Sequence, residues 1–80
     1  MVTRRVHLSF PRERVREPVI YNLGKRFDLV TNIRRASIEN DAGWVVLEIS
    51  GEPDNLERGF DYLGSLGVHV DPVERDVVEG

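Results

Sequence analysis

The side chains with the widest chemical repertoire in this chain are two histidines, His7 and His69, together with carboxylates such as Glu48 and Asp71. Imidazoles and carboxylates bind divalent metals and move protons near neutral pH, so strands that gathered these four would form a metal site or a pH-sensitive cluster. The alternative is that two outward-facing histidines are simply solvated. No further well-spaced ligand joins them, and no functional metal is expected. Catalysis has still less to work with. There is no Gly-rich phosphate loop, nucleophile elbow or His-Glu-x-x-His pattern, and Ser9, Ser37, Ser50 and Ser65 have no base at a supporting spacing. The acidic residues fall at turns, helix starts and outward positions, where solvation is their ordinary role. The chain has no cysteine, which closes disulfides, iron–sulfur clusters, thiolate zinc sites and thiol nucleophiles. These readings point away from an enzyme and from any cofactor.

With 80 residues, of which 40% are hydrophobic, the chain can bury one core, and a single domain over residues 1–80 is expected. The core should span about residues 3–75, with Glu74 to Gly80 a frayed tail that has little to bury. A formal net charge of -3 makes nucleic acid a poor partner, because phosphate binding leans on an excess of Lys and Arg. No unbroken apolar run is long enough for a signal peptide or a membrane span. A soluble, cytoplasmic protein without membrane insertion is therefore expected.

The elements that must position any site follow from periodicity. Val6, Leu8 and Phe10 alternate with Arg5, His7 and Ser9, the pattern of a strand with one buried face. Glu17-Pro18 opens a helix carrying Val19, Ile20, Leu23 and Phe27 at helical spacing and ending near Asp28. Leu29 to Glu39 reads as a second strand, Asn40-Asp41-Ala42-Gly43 as a hairpin turn, and Trp44 to Ser50 as the returning strand. Gly51-Glu52-Pro53-Asp54 opens a second helix with Leu56, Phe60, Leu63 and Leu66 on one face and Gly67 at its cap, and Val68 to Val73 supplies a last strand. The order strand, helix, strand, strand, helix, strand buries both helical stripes most simply on one face of a four-stranded antiparallel sheet. That is a ferredoxin-like α+β sandwich.

In such a fold the second sheet face stays open. Inward Val45, Leu47 and Ile49 put Trp44, Val46 and Glu48 on it, joined by Arg5, His7, Ser9, His69 and Asp71. On the second strand, inward Ala36 and Ile38 send Ile33, Arg35 and Ser37 outward and leave Asn32 and Arg34 on the core side. A buried Arg34 is costly without an anion, and Ile33 and Val46 would expose aliphatic surface beside Trp44. Either a bulge at Arg34-Arg35 re-aims these side chains, or the strand lies at an edge where Arg34 reaches solvent and Ile33 meets a partner chain. The plainer alternatives are that Arg34 snorkels along the core rim and that the apolar residues are scattered surface positions.

The stretch Thr31-Asn32-Ile33-Arg34-Arg35-Ala36-Ser37-Ile38, the polar turn with Gly43, the strand Val45-Val46-Leu47-Glu48-Ile49-Ser50-Gly51 and the helix close Leu63-Gly64-Ser65-Leu66-Gly67 before a Val-rich strand together resemble the NIL domain. This is the module at the C-terminus of methionine-importer ATPase subunits, named for an Asn-Ile-Leu triplet, and the resemblance runs from about Val6 to Val73. It implies a ferredoxin-like fold, a homodimer, and a regulatory site for L-methionine or a related amino acid near the dimer interface. Carried onto this chain, Asn32 would contact the ligand through its amide, which donates and accepts hydrogen bonds, and Ile33 would line the apolar part of the pocket. Arg34 stands where the motif has leucine and offers a guanidinium for a carboxylate. Ile33, Arg35, Trp44 and Val46 would form the interface. Asn32 has a plainer reading too, satisfying backbone groups at the strand start. A free-standing domain would act through self-association or a separate partner, so a ligand-free adaptor that docks an enzyme or transporter is the second expectation. An RNA-recognition motif shares the topology, but it carries stacked aromatics amid basic residues, and here Trp44 stands nearly alone on an acidic chain.

Overall fold

The computed structural model describes residues 1–11, 18–39 and 42–73. Glu17, the Asn40-Asp41 half of the expected turn and the Glu74–Gly80 tail lie outside the described residues. The order is β1 (Val2–Phe10), α1 (Val19–Phe27), β2 (Val30–Glu39), β3 (Ala42–Gly51), α2 (Pro53–Ser65) and β4 (His69–Pro72). The four strands form one sheet in the order β2-β3-β1-β4, and every neighbouring pair is antiparallel. The expected ferredoxin-like α+β architecture is present.

Alternation decides which strand face is buried. Val6 and Leu8 of β1 and Val45, Leu47 and Ile49 of β3 meet Val19 and Leu23 of α1 and Leu56 and Leu63 of α2, with Leu29 and Val68 closing the core. Ile20, Phe27, Phe60 and Leu66 flank it half-buried. The helix ends follow local chemistry. Lys25 and Arg26 sit in the last turn of α1, where the partial negative charge of exposed carbonyls favours cations, and Asp28 terminates the helix in the left-handed region at φ 56°. In α2, Pro53 fills the first turn, where a missing N–H costs nothing, and Asp54 complements the positive helix end.

One turn expectation is corrected. Ala42 and Gly43 belong to β3, paired with Glu39 and Ile38, and Gly43 is also paired with Phe10 of β1. Three-strand pairing overrides the turn preference of glycine there. At the other end of α2, Gly67 has φ +82°, a conformation that costs an L-residue about 1–2 kcal/mol. Gly67→Ala is expected to lower stability by about 1 kcal/mol in urea unfolding with an unchanged m-value.

Candidate functional site

The distinguishing feature of the sheet is a bulge at Arg34. Ile33 pairs with Leu47 and Arg35 pairs with the next β3 residue, Val46, so Arg34 is an extra residue without a rung of its own. Residues opposite one another in an antiparallel ladder share a face. Thr31, Ile33, Ala36 and Ile38 therefore lie on the helix side, with inward Ile49, Leu47, Val45 and Gly43 as their partners. Asn32, Arg35 and Ser37 lie on the open face, opposite Glu48, Val46 and Trp44. This reverses the strict-alternation assignment for Asn32 and Ile33. An uninterrupted strand cannot put both Ile33 and Ile38 on one face, because an odd number of steps separates them. The inserted residue restores the match, as the bulge alternative anticipated.

The helix-side residues of β2 are not covered. Ile33 is 54% exposed, Ile38 67% and Tyr21 of α1 63%. Between α1 and the β2–β3 hairpin lies an apolar groove of ≈ 250 Å³, whose lining includes Phe10, Val19, Ile20, Tyr21, Ile33, Ala36 and Ile38. Sequence reasoning missed Phe10, Ile20 and Tyr21 as parts of this surface. Helical periodicity places Ile20 in the core stripe and says nothing of Tyr21, because nothing in the helical pattern says where the covering sheet ends.

On the open face, His7 stacks on Trp44 with ring centroids 5.3 Å apart and planes 19° apart. Arg5 forms an ion pair with Glu48, and Thr3 Oγ1 lies 2.7 Å from Ser50 Oγ. His69 Nε2 lies 3.2 Å from Asp71 Oδ1. The two histidines are therefore engaged by different neighbours, and Glu48 is taken up by Arg5. Among the described residues no group of three or more His, Cys, Asp or Glu converges on one point. The Asn32 amide makes no side-chain hydrogen bond among the described residues. Asn32 is exposed, and among the described residues its amide does not satisfy the strand's backbone.

Of the residues expected to contact a ligand, Asn32 is on the open face, Ile33 lines the groove on the opposite face, and Arg34 follows them as the extra residue of the bulge. They meet only around the outer rim of β2. Of the expected interface set, Arg35, Trp44 and Val46 share the open face and Ile33 does not. No helix among the described residues is long and apolar enough to cross a membrane.

Comparison with known proteins agrees with this architecture. The chain is 33% identical over 71 residues to the methionine import ATP-binding protein MetN of Helicobacter pylori strain ATCC 700392 / 26695, covering 84% of this chain and 22% of that protein. The corresponding protein of Helicobacter acinonychis is 32% identical over the same length. The chain thus spans about a fifth of the length of these curated relatives. Among solved structures, the C-terminal domain of an ABC transporter ATP-binding protein from Enterococcus faecalis superposes with a TM-score of 0.78 at 21% identity, covering 91% of this chain and 86% of that one. A designed protein, Foldit4, shares the fold with a TM-score of 0.54 at 16% identity. The NIL domain model matches residues 4–72. This chain belongs to the NIL domain family.

Proposed function

We propose that this chain is a regulatory rather than catalytic domain, acting in the cytoplasm as a homodimer that binds L-methionine or a related amino acid at the dimer interface, without a cofactor. On this reading residues 1–80 form one domain. The observation that carries it is the coincidence, at one exposed strand rim, of Asn32, Ile33, Arg34 and an open apolar groove. A methionine side chain is apolar and unbranched and suits a groove of Ile, Phe and Tyr, with favourable sulfur–aromatic contact available. Its carboxylate suits the Arg34 guanidinium, and its ammonium the Asn32 amide oxygen. Membership in a family found in methionine-import ATPases supports the choice of ligand.

The test is thermal unfolding with and without L-methionine. At ten times its dissociation constant a ligand bound only by the folded state adds about 1.4 kcal/mol, raising the midpoint by roughly 6–11 °C in a domain of this size. Asn32→Ala is expected to keep the fold and lose the shift, and an undiminished shift in that variant would remove Asn32 from the site. A second reading has support from the open face, where Trp44, Val46 and Arg35 lie uncovered by the helices. There the domain is a ligand-free adaptor that docks a separate enzyme or transporter. Copurification of a partner with no ligand effect on stability would favour that role.

A further inference from the structure

Among the described residues the outer edge of β2 is unpaired, because β2 ends the sheet order and β3 is its one hydrogen-bonded neighbour there. Such an edge is a template for another strand, and proteins usually blunt it with charge, proline or a short length. This one is 10 residues long, and its helix-side surface carries Ile33, Ala36 and Ile38. We infer that the edge pairs antiparallel with the same edge of a second copy, with the two-fold axis on Ser37. The inference rests on the dimeric reading above and specifies the edge and register that make the dimer.

Symmetry and charge select the register. A two-fold relating antiparallel edges of one continuous sheet stands perpendicular to that sheet, so facing residues share a face and their numbers sum to an even value. The bulge ends the regular stretch at Arg35, leaving Arg35 to Glu39 as the segment free to form a regular ladder. Within it, only an axis on Ser37 sets Arg35 opposite Glu39 of the second copy, and it does so twice. Centring on Arg35 would instead oppose two guanidiniums, and pairing Arg34 with Glu39 gives an odd sum that symmetry forbids. Neither Arg35 nor Glu39 has an ion-pair partner among the described residues. Opposite charges facing across strands stabilise the pair, and like charges oppose it.

The same register lays Ala36 against Ile38 of the second copy on the helix side, also twice. Ile38, 67% exposed in the isolated chain, would be covered, and the two grooves would meet end to end across the axis. Arg34 lies just outside the paired segment, with its side chain still available to a ligand at the rim.

The chain has no cysteine, so Ser37→Cys introduces a lone thiol. In the inferred register it faces its own copy with Cα atoms about 4.5–5.5 Å apart, inside the range a disulfide accepts. Mild oxidation is expected to convert this variant into a covalent dimer on a non-reducing gel. Arg35→Cys alone should remain monomeric there, since its two copies lie four residues out of register, about 13 Å apart. Mixed with Glu39→Cys it should form the heterodimer. In sedimentation, Arg35→Glu should raise the dimer dissociation constant about tenfold or more, and Arg35→Glu with Glu39→Arg should restore it. A wild-type dimer that crosslinks at other positions but not through Ser37→Cys, or that ignores the charge reversal, overturns the register and leaves the dimer standing. A wild-type monomer at every concentration overturns both.

Discussion

Leu47→Ala is expected to lower stability by about 3 kcal/mol and the unfolding midpoint by roughly 12–24 °C. Leu47 is 0% exposed and occupies the middle of a rung that runs from Val6 of β1 through β3 to Ile33 of β2. Truncation there removes transfer free energy and leaves a cavity that the sheet on both sides cannot close. A domain of 80 residues has about 4–12 kcal/mol to lose in total. Ile33→Ala on the same rung is the control. Ile33 is 54% exposed, so its loss in the monomer should cost under about 1 kcal/mol. Equal effects of the two substitutions, measured by urea unfolding, would mean that the groove is closed in the folded chain rather than open at its edge.

The contrast along that rung also explains what the sequence made legible. The alternation in β1 and β3 is unbroken, both helical stripes are clean, and a polar run separates two extended segments, so the topology and nearly all of the core could be read directly. β2 could be read only from Arg35 onward, where Ala36 and Ile38 do face inward. A two-residue period is a sensitive ruler until one residue is inserted, after which every position on one side of the insertion changes face. The signal was present as a contradiction: an arginine assigned to the core side and isoleucines whose separation is odd. What alternation cannot say is which end of the strand keeps its parity, so alternation anchored on Ala36 and Ile38 puts Asn32 and Ile33 on the wrong faces. The groove was illegible for a different reason. Ile20 and Tyr21 sit on a helix whose pattern reports only that it has a buried side, whereas the width of the groove depends on how far β2 extends past that helix.

The bulge has a mechanical consequence for the proposed function. It puts the side chain of Ile33 on the helix side and the amide of Asn32 on the open face, with the extra residue Arg34 next along the strand. A ligand touching all three must therefore lie at the strand's outer rim, the same edge that would meet a second copy. Binding and self-association would then share one element, and each would shift the other by the same coupling free energy.

Leu29 holds the near end of that element in place, and the second large effect is expected there. A Cβ added at Gly51 would lie 2.4 Å from Leu29 Cδ2, and one added at Gly59 would lie 2.9 Å from Leu29 Cδ1. The two methyls of Leu29 thus fill hollows left by glycines at the end of β3 and in the middle of α2. Leu29 is 6% exposed and immediately precedes β2, so it sets where the strand leaves α1 and runs toward Asn32. Gly51→Ala drives a methyl into Leu29 Cδ2, with Asp28 O 3.5 Å from the same added carbon, and is expected to cost about 2 kcal/mol by overpacking. Leu29→Ala leaves a cavity and should cost about 3 kcal/mol. Combined, the added methyl occupies part of the space that the lost isobutyl group vacates, so the double variant should be less destabilised than the sum by about 1–2 kcal/mol. Strict additivity in the double-mutant cycle would mean that Gly51 and Leu29 do not share the space. Because Leu29 packs on α2 as well as β3, Leu29→Ala should also weaken any methionine-dependent stabilisation more than Leu47→Ala does, although neither residue lines the groove.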